Sequence, residues 1–372
     1  MKRFGIVSYN IYGNFTNYGS ALQSWALHQA INKIGNNKWE SVLVDYCPDI
    51  LKDKDPLDPM KNMWDQDETS LRMCRLSLPA IRENFYKFDK FYHEQFQRTK
   101  KSYDASNFNE IVADEQLNGF VCGSDTIFCM DEFGFDDGYY ANYDCMKNGY
   151  SVSYAASFGD PTLTPEVCKT LNDRLQNFKA LGLREEQMIE YVKEQTDVPV
   201  QRVIDPTLLL TAEDYDRIAA PQQDDKYLLL YARRYNPEME AYAERIAAEK
   251  GLKIIEISLR AINAEKHRMF YEAGVEEFLS LVKHADYVVT NSFHGMIFAV
   301  QYGRPFVIFS RYQCNNKIEE LLQLFGLSDR MLVKADQRCD SEIDYRAVHE
   351  RIKKHRVHSI EFLNMELSNC KL

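Results

Sequence analysis

The second half of the chain alternates short apolar runs with amphipathic segments at regular spacing. Each run has the length and composition of a strand, and each intervening segment repeats its apolar residues with the period of a helix. Strands separated by helices join through right-handed crossovers into a parallel sheet that is covered on both faces. We therefore predict a Rossmann-like domain over residues 226–340. Its predicted strands and helices are, in chain order, KYLLLYA, PEMEAYAERIAAEKG, LKIIEIS, GVEEFLSLVKHA, YVVTNS, GMIFAVQYG, PFVIFS and NNKIEELLQLFG.

The first half shows a similar but less regular alternation, which predicts a second Rossmann-like domain over residues 1–220. A chain of 372 residues exceeds the size at which one hydrophobic core keeps growing, so two α/β domains that face a cleft are expected. We place the linker in the Pro-polar stretch at 221–225. The segment 341–372 predicts a C-terminal helix that packs back across the domain junction.

Residues 52–118 interrupt the first domain as an insertion, which includes the aromatic stretch IRENFYKFDKFYHEQF. Four of its apolar side chains recur at helical spacing, namely Ile81, Phe85, Phe88 and Tyr92. Such a stripe can face a core or stack on a ligand, and we favour the core.

Composition excludes several classes of function. No run approaches the length of apolar sequence that crosses a bilayer, and the first residues lack the pattern of a cleaved signal, so we expect a cytoplasmic protein. A net charge of −11 argues against a nucleic-acid partner. Nine cysteines without a C-x-x-C pair predict neither a zinc site nor a disulfide framework. No strand is followed by a G-x-G-x-x-G or a Walker loop, so no nucleotide cofactor is predicted.

One acidic cluster raises the question of a metal ion. Asp131, Glu132, Asp136 and Asp137 could chelate a hard cation. A solvated loop is the favoured interpretation, and no metal site is predicted.

His294 is the strongest candidate functional residue. It follows the run YVVTNSF and precedes Gly295, so we predict that it lies in the first turn of a helix, at the carboxyl end of a strand. Ligands bind at such ends in open parallel sheets. A histidine near the positive end of a helix dipole can donate to an anion or act as a general acid. The alternative is a structural histidine, and its position favours the functional interpretation.

Two cations occupy comparable positions. Lys317 lies beside the candidate N-caps Asn315 and Asn316, and Arg184 ends a short apolar run that opens another helix. Each alone is more often a surface cation. If they meet His294 in one crevice between the lobes, together they form a site for a small, multiply charged anion.

Seven stretches of the chain stand out, in this order: NYGSALQSWAL at 17–27, FVCGSDTIF at 120–128, YSVSYAASFG at 150–159, LREEQ at 183–187, VIDPTLLL at 203–210, VVTNSFHGMIFAVQYGRPFVIF at 288–309 and NNKIEELLQLFGLSDR at 315–330. Taken together, they resemble the polysaccharide pyruvyl transferase family. The chain departs from the family pattern at Thr126 and Phe128, where the family commonly has Gln and Trp, and at Lys317, where it often has Arg. A lysine cannot make the planar bidentate contact of an arginine.

The resemblance implies a GT-B-like pair of Rossmann domains and a specific reaction. Such an enzyme moves the enolpyruvyl group of phosphoenolpyruvate onto a sugar of a cell-surface polysaccharide or its lipid-linked precursor, and forms a pyruvate ketal. Phosphoenolpyruvate is then a co-substrate, and no cofactor is expected. A lipid-linked acceptor also allows peripheral association with the membrane.

The resemblance implies roles for particular residues. His294 is the candidate acid that protonates the donor methylene, and Asp125 either accepts a proton from the attacking hydroxyl or ties its loop to backbone amides. The remaining candidates fall into a donor group, Arg184, Ser292, Asn316 and Lys317, and an acceptor group, Asn17, Tyr18 and Ser124.

Two alternatives stay open. GT-B architecture is shared with nucleotide-sugar glycosyltransferases, and fold alone does not decide function. A non-catalytic member of a glycan-assembly complex is the other alternative, and Thr126, Phe128 and Lys317 would then be traces of lost activity.

Overall fold

The computed structural model describes residues 1–9, 16–58, 68–222, 226–258, 263–311, 315–339 and 341–371. Within these residues the chain forms two six-stranded, all-parallel sheets, ordered β2-β1-β3-β4-β5-β6 and β12-β11-β10-β7-β8-β9. The predicted α/β class with two Rossmann-like units is confirmed. The strands are β1 Lys2–Val7, β2 Trp39–Leu43, β3 Gly119–Cys122, β4 Ser151–Ala156, β5 Ala180–Leu183, β6 Val200–Arg202, β7 Tyr227–Tyr231, β8 Lys253–Ile257, β9 Arg268–Met269, β10 Tyr287–Thr290, β11 Phe306–Phe309 and β12 Met331–Leu332.

Helices cover both sheets. The longer ones carry the expected end signals: in the helix that begins at Pro237, Asn236 caps the first turn and Gly251 ends the last turn in the left-handed conformation. The helices of the described residues are α1 Tyr18–Gly35, α2 Glu68–Glu94, α3 Ile111–Glu115, α4 Met130–Phe133, α5 Asp144–Lys147, α6 Pro165–Leu175, α7 Glu186–Gln195, α8 Ala212–Asp216, α9 Pro237–Lys250, α10 Val275–His284, α11 Phe293–Gln301, α12 Asn315–Phe325 and α13 Tyr345–Asn369.

The strand order of each sheet reverses once, and these two switch points position the site. In the first sheet the reversal lies between β1 and β3, which lead into α1 and into the loop of Ser124 and Asp125. In the second sheet it lies between β7 and β10, and β10 leads directly into α11 with His294. The crevice at a switch point is where open α/β sheets bind ligands.

The C-terminal helix α13 spans both halves, as predicted. Near its start, His349 Nε2 donates to the carbonyl oxygen of Val300 at 2.9 Å, on the second half. Further along, Ile204 N donates to Ser359 Oγ at 3.0 Å, and Tyr150 donates its hydroxyl to the carbonyl oxygen of Glu366 at 2.8 Å, both on the first half. This helix therefore ties the two sheets together.

The aromatic stripe of the insertion faces the core, as predicted. Ile81, Phe88 and Tyr92 are buried on α2, while Phe85 is half-buried. The Phe88 ring packs against Tyr18 of α1 with centroids 5.2 Å apart. The insertion therefore contributes to the core beneath the domain junction.

Some sequence predictions fall outside the described residues. Of the predicted linker at 221–225, only residues 221 and 222 are described. In the polar loops after β1 and β11, residues 10–15 and 312–314 lie outside the described residues. Within the described parts of the chain, none of the helices has the length and apolar character needed to cross a membrane.

Candidate active site at the domain seam

The candidate site is the seam where the carboxyl ends of the two sheets face each other. The first half contributes the start of α1, the loop after β3, the end of β5 and the turn after β6. The second half contributes the first turns of α11 and α12. These segments bring Asp125, Arg184 and Asp205 from one side to His294 and Lys317 from the other.

His294 lies in the first turn of α11, as predicted, because Ser292 caps that helix. The Ser292 hydroxyl oxygen accepts a hydrogen bond from Gly295 N at 3.1 Å. The imidazole lies against the first turn of α1, so that a Cβ built on Gly19 would come within 2.0 Å of His294 Nδ1. The absence of a side chain at Gly19 therefore permits the contact between the halves.

The other imidazole nitrogen faces a carboxylate. His294 Nε2 lies 3.5 Å from Asp205 Oδ2 and forms no hydrogen bond with the described residues. The predicted crevice between the lobes is closed around His294, which is only 6% exposed between the two halves. A buried ring nitrogen without a partner marks a position that a ligand or water can fill.

Arg184 and Asp205 form a buried ion pair in the centre of the seam. Arg184 Nη1 donates to Asp205 Oδ2 at 2.8 Å, and Thr207 donates its backbone N–H and hydroxyl to Oδ1 at 2.9 and 2.6 Å. Burial alone would raise the pKa of Asp205, but the charges of Arg184 and His294 outweigh it and hold this pKa well below its usual value. Asp205 therefore stays ionised.

Asp125 is a second buried carboxylate of the seam. Its Oδ2 accepts from the Ser20 hydroxyl at 2.5 Å and its Oδ1 from Thr126 N at 3.1 Å. Burial raises its pKa, yet the charges of His294, Lys317 and Arg184 and the Ser20 hydrogen bond lower it below the usual value. Asp125 is thus ionised, which suits both roles that the sequence left open, a proton acceptor and a loop anchor.

Phe293 separates the two predicted cations. The Arg184 guanidinium carbon lies 5.2 Å from the centre of the Phe293 ring, and Lys317 Nζ lies 5.6 Å from it. Both distances allow a cation–π contact. Lys317 is buried, and within the described residues its ammonium group makes no ion pair. An anion placed here would meet two cations in a setting of low dielectric.

A small cavity of about 30 Å³ adjoins these groups and is lined by Arg184, Glu185, Asp205, Phe293 and Lys317, among others. Both carboxylate oxygens of Glu185 and Nε of Arg184 are buried without a hydrogen bond. The cavity has room for about one or two water molecules. A three-carbon phosphate is larger than this cavity.

Ser124 belongs to the same cluster but is fully occupied. Its hydroxyl donates to the carbonyl oxygen of Ala155 at 3.0 Å, its backbone N–H donates to Gln23 Oε1 at 3.0 Å, and Arg184 Nη2 lies 3.4 Å from Ser124 Oγ. Ser124 is completely buried. The structure thus places it next to a predicted donor-binding arginine, and its acceptor role stays a prediction.

Three other predicted site residues lie outside the buried cluster. Asn17 caps α1, since its Oδ1 accepts from Gly19 N at 3.0 Å. Tyr18 donates its hydroxyl to the carbonyl oxygen of Ala273 at 2.7 Å. Asn316 is exposed and donates to Asp160 Oδ1 at 2.9 Å. Their binding roles stay predictions.

Three of the four carboxylates of the acidic cluster, those of Glu132, Asp136 and Asp137, accept hydrogen bonds from protein donors. Asp136 Oδ1 accepts from the Tyr46 hydroxyl at 2.9 Å, Thr126 donates to Glu132 at 3.1 Å, and Asp137 pairs with Arg174 at 2.7 Å. Within the described ranges, no group of three or more His, Cys, Asp or Glu side chains is arranged to hold a metal ion.

Sequence reasoning missed four residues of the seam: Gly19, Ser20, Glu185 and Asp205. Asp205 could have been found, because a D-P pair a few residues after a strand predicts a capping carboxylate at the functional edge of the sheet. Glu185 follows Arg184 but is an ordinary acidic residue in the sequence. For Gly19 there was no local signal, since its neighbour His294 is 275 residues away along the chain.

Comparison of the sequence with models of known protein families identifies the family to which the chain belongs. The model of the polysaccharide pyruvyl transferase family matches residues 17–312, which include Asp125, Arg184, Asp205 and His294 but not the seam residues of α12. The chain belongs to the polysaccharide pyruvyl transferase family. It is therefore a transferase of polysaccharide biosynthesis. A comparison with curated protein sequences found no match.

Solved structures with the same architecture support the fold. An S. aureus MnaA structure with UDP has a TM-score of 0.50 and 12% identity, covering 100% of this chain and 92% of the other. A UDP-GlcNAc 2-epimerase from Methanocaldococcus jannaschii has a TM-score of 0.50 and 12% identity, covering 95% and 92%. At such low identity the similarity establishes the GT-B-like fold of this pyruvyl transferase family member and nothing about its ligands.

Proposed function

We propose that this protein transfers the enolpyruvyl group of phosphoenolpyruvate to a sugar and closes a pyruvate ketal. The observation that carries the proposal is the buried meeting of His294, Arg184 and Lys317 around Phe293. The proposed acceptor is a sugar of a cell-surface polysaccharide or its lipid-linked precursor, and the proposed place of reaction is the cytoplasm.

The chemistry needs one acid, one base and fixed cations. An acid protonates the methylene carbon of the donor, which leaves an oxocarbenium-like centre for the first sugar hydroxyl. His294 is suited to this step, because its Nε2 forms no hydrogen bond with the described residues and lies 3.5 Å from the ionised carboxylate of Asp205. Asp125 is suited to accept the hydroxyl proton, because neighbouring charges keep it ionised.

Arg184 and Lys317 are suited to bind the phosphate and carboxylate of the donor. Preorganised cations in a site without bulk water stabilise a developing anion far more than they do in solution. Ser292 contributes by capping α11 and so fixing the orientation of His294. Because the donor is larger than the cavity, we propose that it binds to an opened seam, which then closes on it.

The test is to incubate the protein with phosphoenolpyruvate and candidate sugars, and to measure released phosphate and a product heavier by the ketal. We expect His294→Ala to lower turnover by about 10²- to 10⁴-fold, the range that a general acid contributes. The exposed His358 supplies the control, and His358→Ala should leave turnover unchanged. Full activity in His294→Ala would rule out the proposed acid.

A nucleotide-sugar glycosyltransferase is the second candidate, since both structural neighbours carry UDP or UDP-GlcNAc in their descriptions. The two candidates differ in the ligand that stabilises the folded state. We expect phosphoenolpyruvate to raise the melting temperature and UDP to leave it unchanged. The opposite result would favour the glycosyltransferase, and a folded protein that binds neither ligand would favour a non-catalytic role.

A further inference from the structure

Glu185 is a buried carboxyl group of the seam that forms no ion pair within the described residues. It joins β5 to α7 directly after Arg184, is only 4% exposed, and has two carboxylate oxygens without a hydrogen bond. Burial raises its pKa above the usual value, although the charges of Arg184 and Lys317 act in the opposite direction. A buried carboxylate without partners is costly, whereas a neutral carboxylic acid is less so.

The position of Glu185 in its helix does not explain its orientation. A short polar side chain just before a helix often caps the first amides, but glutamate is not a preferred cap. Here the side chain of Glu185 makes no capping bond, and the amide of Glu186 donates instead to Glu320 Oε2 of α12 at 3.1 Å. Since the cap comes from the other half of the molecule, Glu185 is left to line the cavity.

The groups around this cavity define what Glu185 faces. Arg184 and Asp205 come from the first half, and Lys317 and Glu320 from α12 of the second half, with Arg202 on β6 beside them. Asp205 is already paired with Arg184, and Glu320 with Arg202 at 3.3 Å. Glu185 is therefore a carboxyl group in the cavity whose oxygens form no ion pair and no hydrogen bond of normal geometry within the described residues, although the nearby Ser157 hydroxyl interacts with it and lowers its pKa.

We propose that Glu185 is a second catalytic acid, which donates its proton to the phosphate that Arg184 and Lys317 bind when that phosphate leaves. This inference rests on the proposed function and goes beyond it, because it divides the two proton transfers between two residues. His294 protonates the donor carbon, and Glu185 serves the later departure of phosphate.

The proposed step balances. The bond between C2 of the donor and its bridging oxygen breaks, both electrons remain on that oxygen, and the oxygen takes the Glu185 proton. The second sugar hydroxyl then bonds to C2 through its oxygen, and its proton returns to the Glu185 carboxylate. No oxidant, reductant or net proton is required.

The matched variants are Glu185→Gln, which keeps shape and a hydrogen-bond donor but has no acidic proton, and Glu185→Asp, which keeps the acid. Glu190→Gln on the exposed face of α7 is the control. In Glu185→Gln we expect phosphate release to fall by about 100-fold, with KM for phosphoenolpyruvate within about threefold of wild type. Glu185→Asp should recover part of the rate, and Glu190→Gln should match wild type.

Exchange of the donor methylene hydrogens with D₂O separates catalysis from structure. Protonation by His294 precedes phosphate loss, so Glu185→Gln should still exchange these hydrogens, in the presence of the sugar, while it releases little phosphate. If Glu185→Gln instead loses hydrogen exchange by the same factor as it loses phosphate release, Glu185 has a structural role and the inference is overturned. So would wild-type phosphate release by Glu185→Gln. If wild type itself neither exchanges nor releases phosphate, the proposed function fails first, and the inference fails with it.

Discussion

Two ion pairs of nearly equal length show how the centre of the seam differs from its rim. Arg184 and Asp205 pair at 2.8 Å with side chains 7% and 1% exposed. Arg202 and Glu186 pair at 2.7 Å with side chains 37% and 52% exposed. The atoms and the distances are alike, and only the burial differs.

Burial decides how much such an ion pair contributes to stability. At the rim, water screens both charges, and an exposed pair contributes about 0–1 kcal/mol. In the centre, each charge has lost its hydration and depends on its partner, so removal of one leaves the other uncompensated. The centre therefore has little tolerance for substitution, and the same low dielectric that makes it fragile strengthens its hold on an anion.

The largest effect should come from breaking the central pair. Asp205→Asn keeps the side-chain shape but leaves Arg184 without its buried counter-charge. We expect the free energy of unfolding to fall by about 3–5 kcal/mol. Urea denaturation followed by circular dichroism measures this, with the exposed Asp197→Asn as the control. A loss below about 1 kcal/mol would mean that the centre behaves like the rim.

The pH dependence of that loss sharpens the test. Because Arg184 and His294 hold the pKa of Asp205 below its unfolded value, the stabilisation by its charge is complete above that value, near pH 4. It disappears as the pH falls further and Asp205 takes up a proton. The difference between wild type and Asp205→Asn should therefore be constant from pH 7 to about pH 5 and shrink below about pH 4. A difference that stayed constant in acid would contradict the assignment.

An intermediate effect should follow from forcing the two halves apart. Gly19→Ala places a methyl group within 2.0 Å of His294 Nδ1. We expect about 1–3 kcal/mol of destabilisation and, if the proposed function holds, about a 100-fold loss of phosphate release. The double variant Gly19→Ala with His294→Ala removes the clash and should recover stability but not turnover. Additive destabilisation in the double variant would show that the two residues do not touch.

The smallest effect belongs to the rim. Glu320→Gln weakens the contact with Arg202 and the cap on Glu186 N, and we expect a change in unfolding free energy of less than about 1 kcal/mol, reduced further by salt. Glu319→Gln, the exposed neighbour, is the control. A loss of several kcal/mol that persists in 1 M salt would mean that the ion pair at the rim contributes to stability as the buried pair does.

Most of the fold was predictable, because the sheets are built from local signals. Runs such as YLLLY and FVIF are buried on both faces, and their composition alone distinguishes them from the helices between them. The two-residue strands β9 and β12 were not predicted, because so short a run has no periodicity and forms only when a neighbouring edge is already in place. The order of the strands within each sheet also cannot be predicted from local sequence patterns.

The site was predictable in part. The residues His294, Arg184 and Lys317 were found because each follows a strand or opens a helix, which is a signal in the sequence. Tyr18 was predicted for the acceptor but packs its ring on Phe278 of the second half, with centroids 4.5 Å apart. An aromatic residue at the start of a helix has the same sequence pattern in either role, and only the neighbouring half decides between them.

The sequence by itself determined which elements form and which side chains stand at their ends, because hydrophobic period and capping act within a few residues. Only the packing of the two halves brings Gly19 against His294, places Asp205 in the cluster and buries Glu185 without an ion pair. These contacts form only when the two halves pack together and exclude water from the seam. The low dielectric and the loss of hydration arise from that packing, and no single segment of the chain produces them.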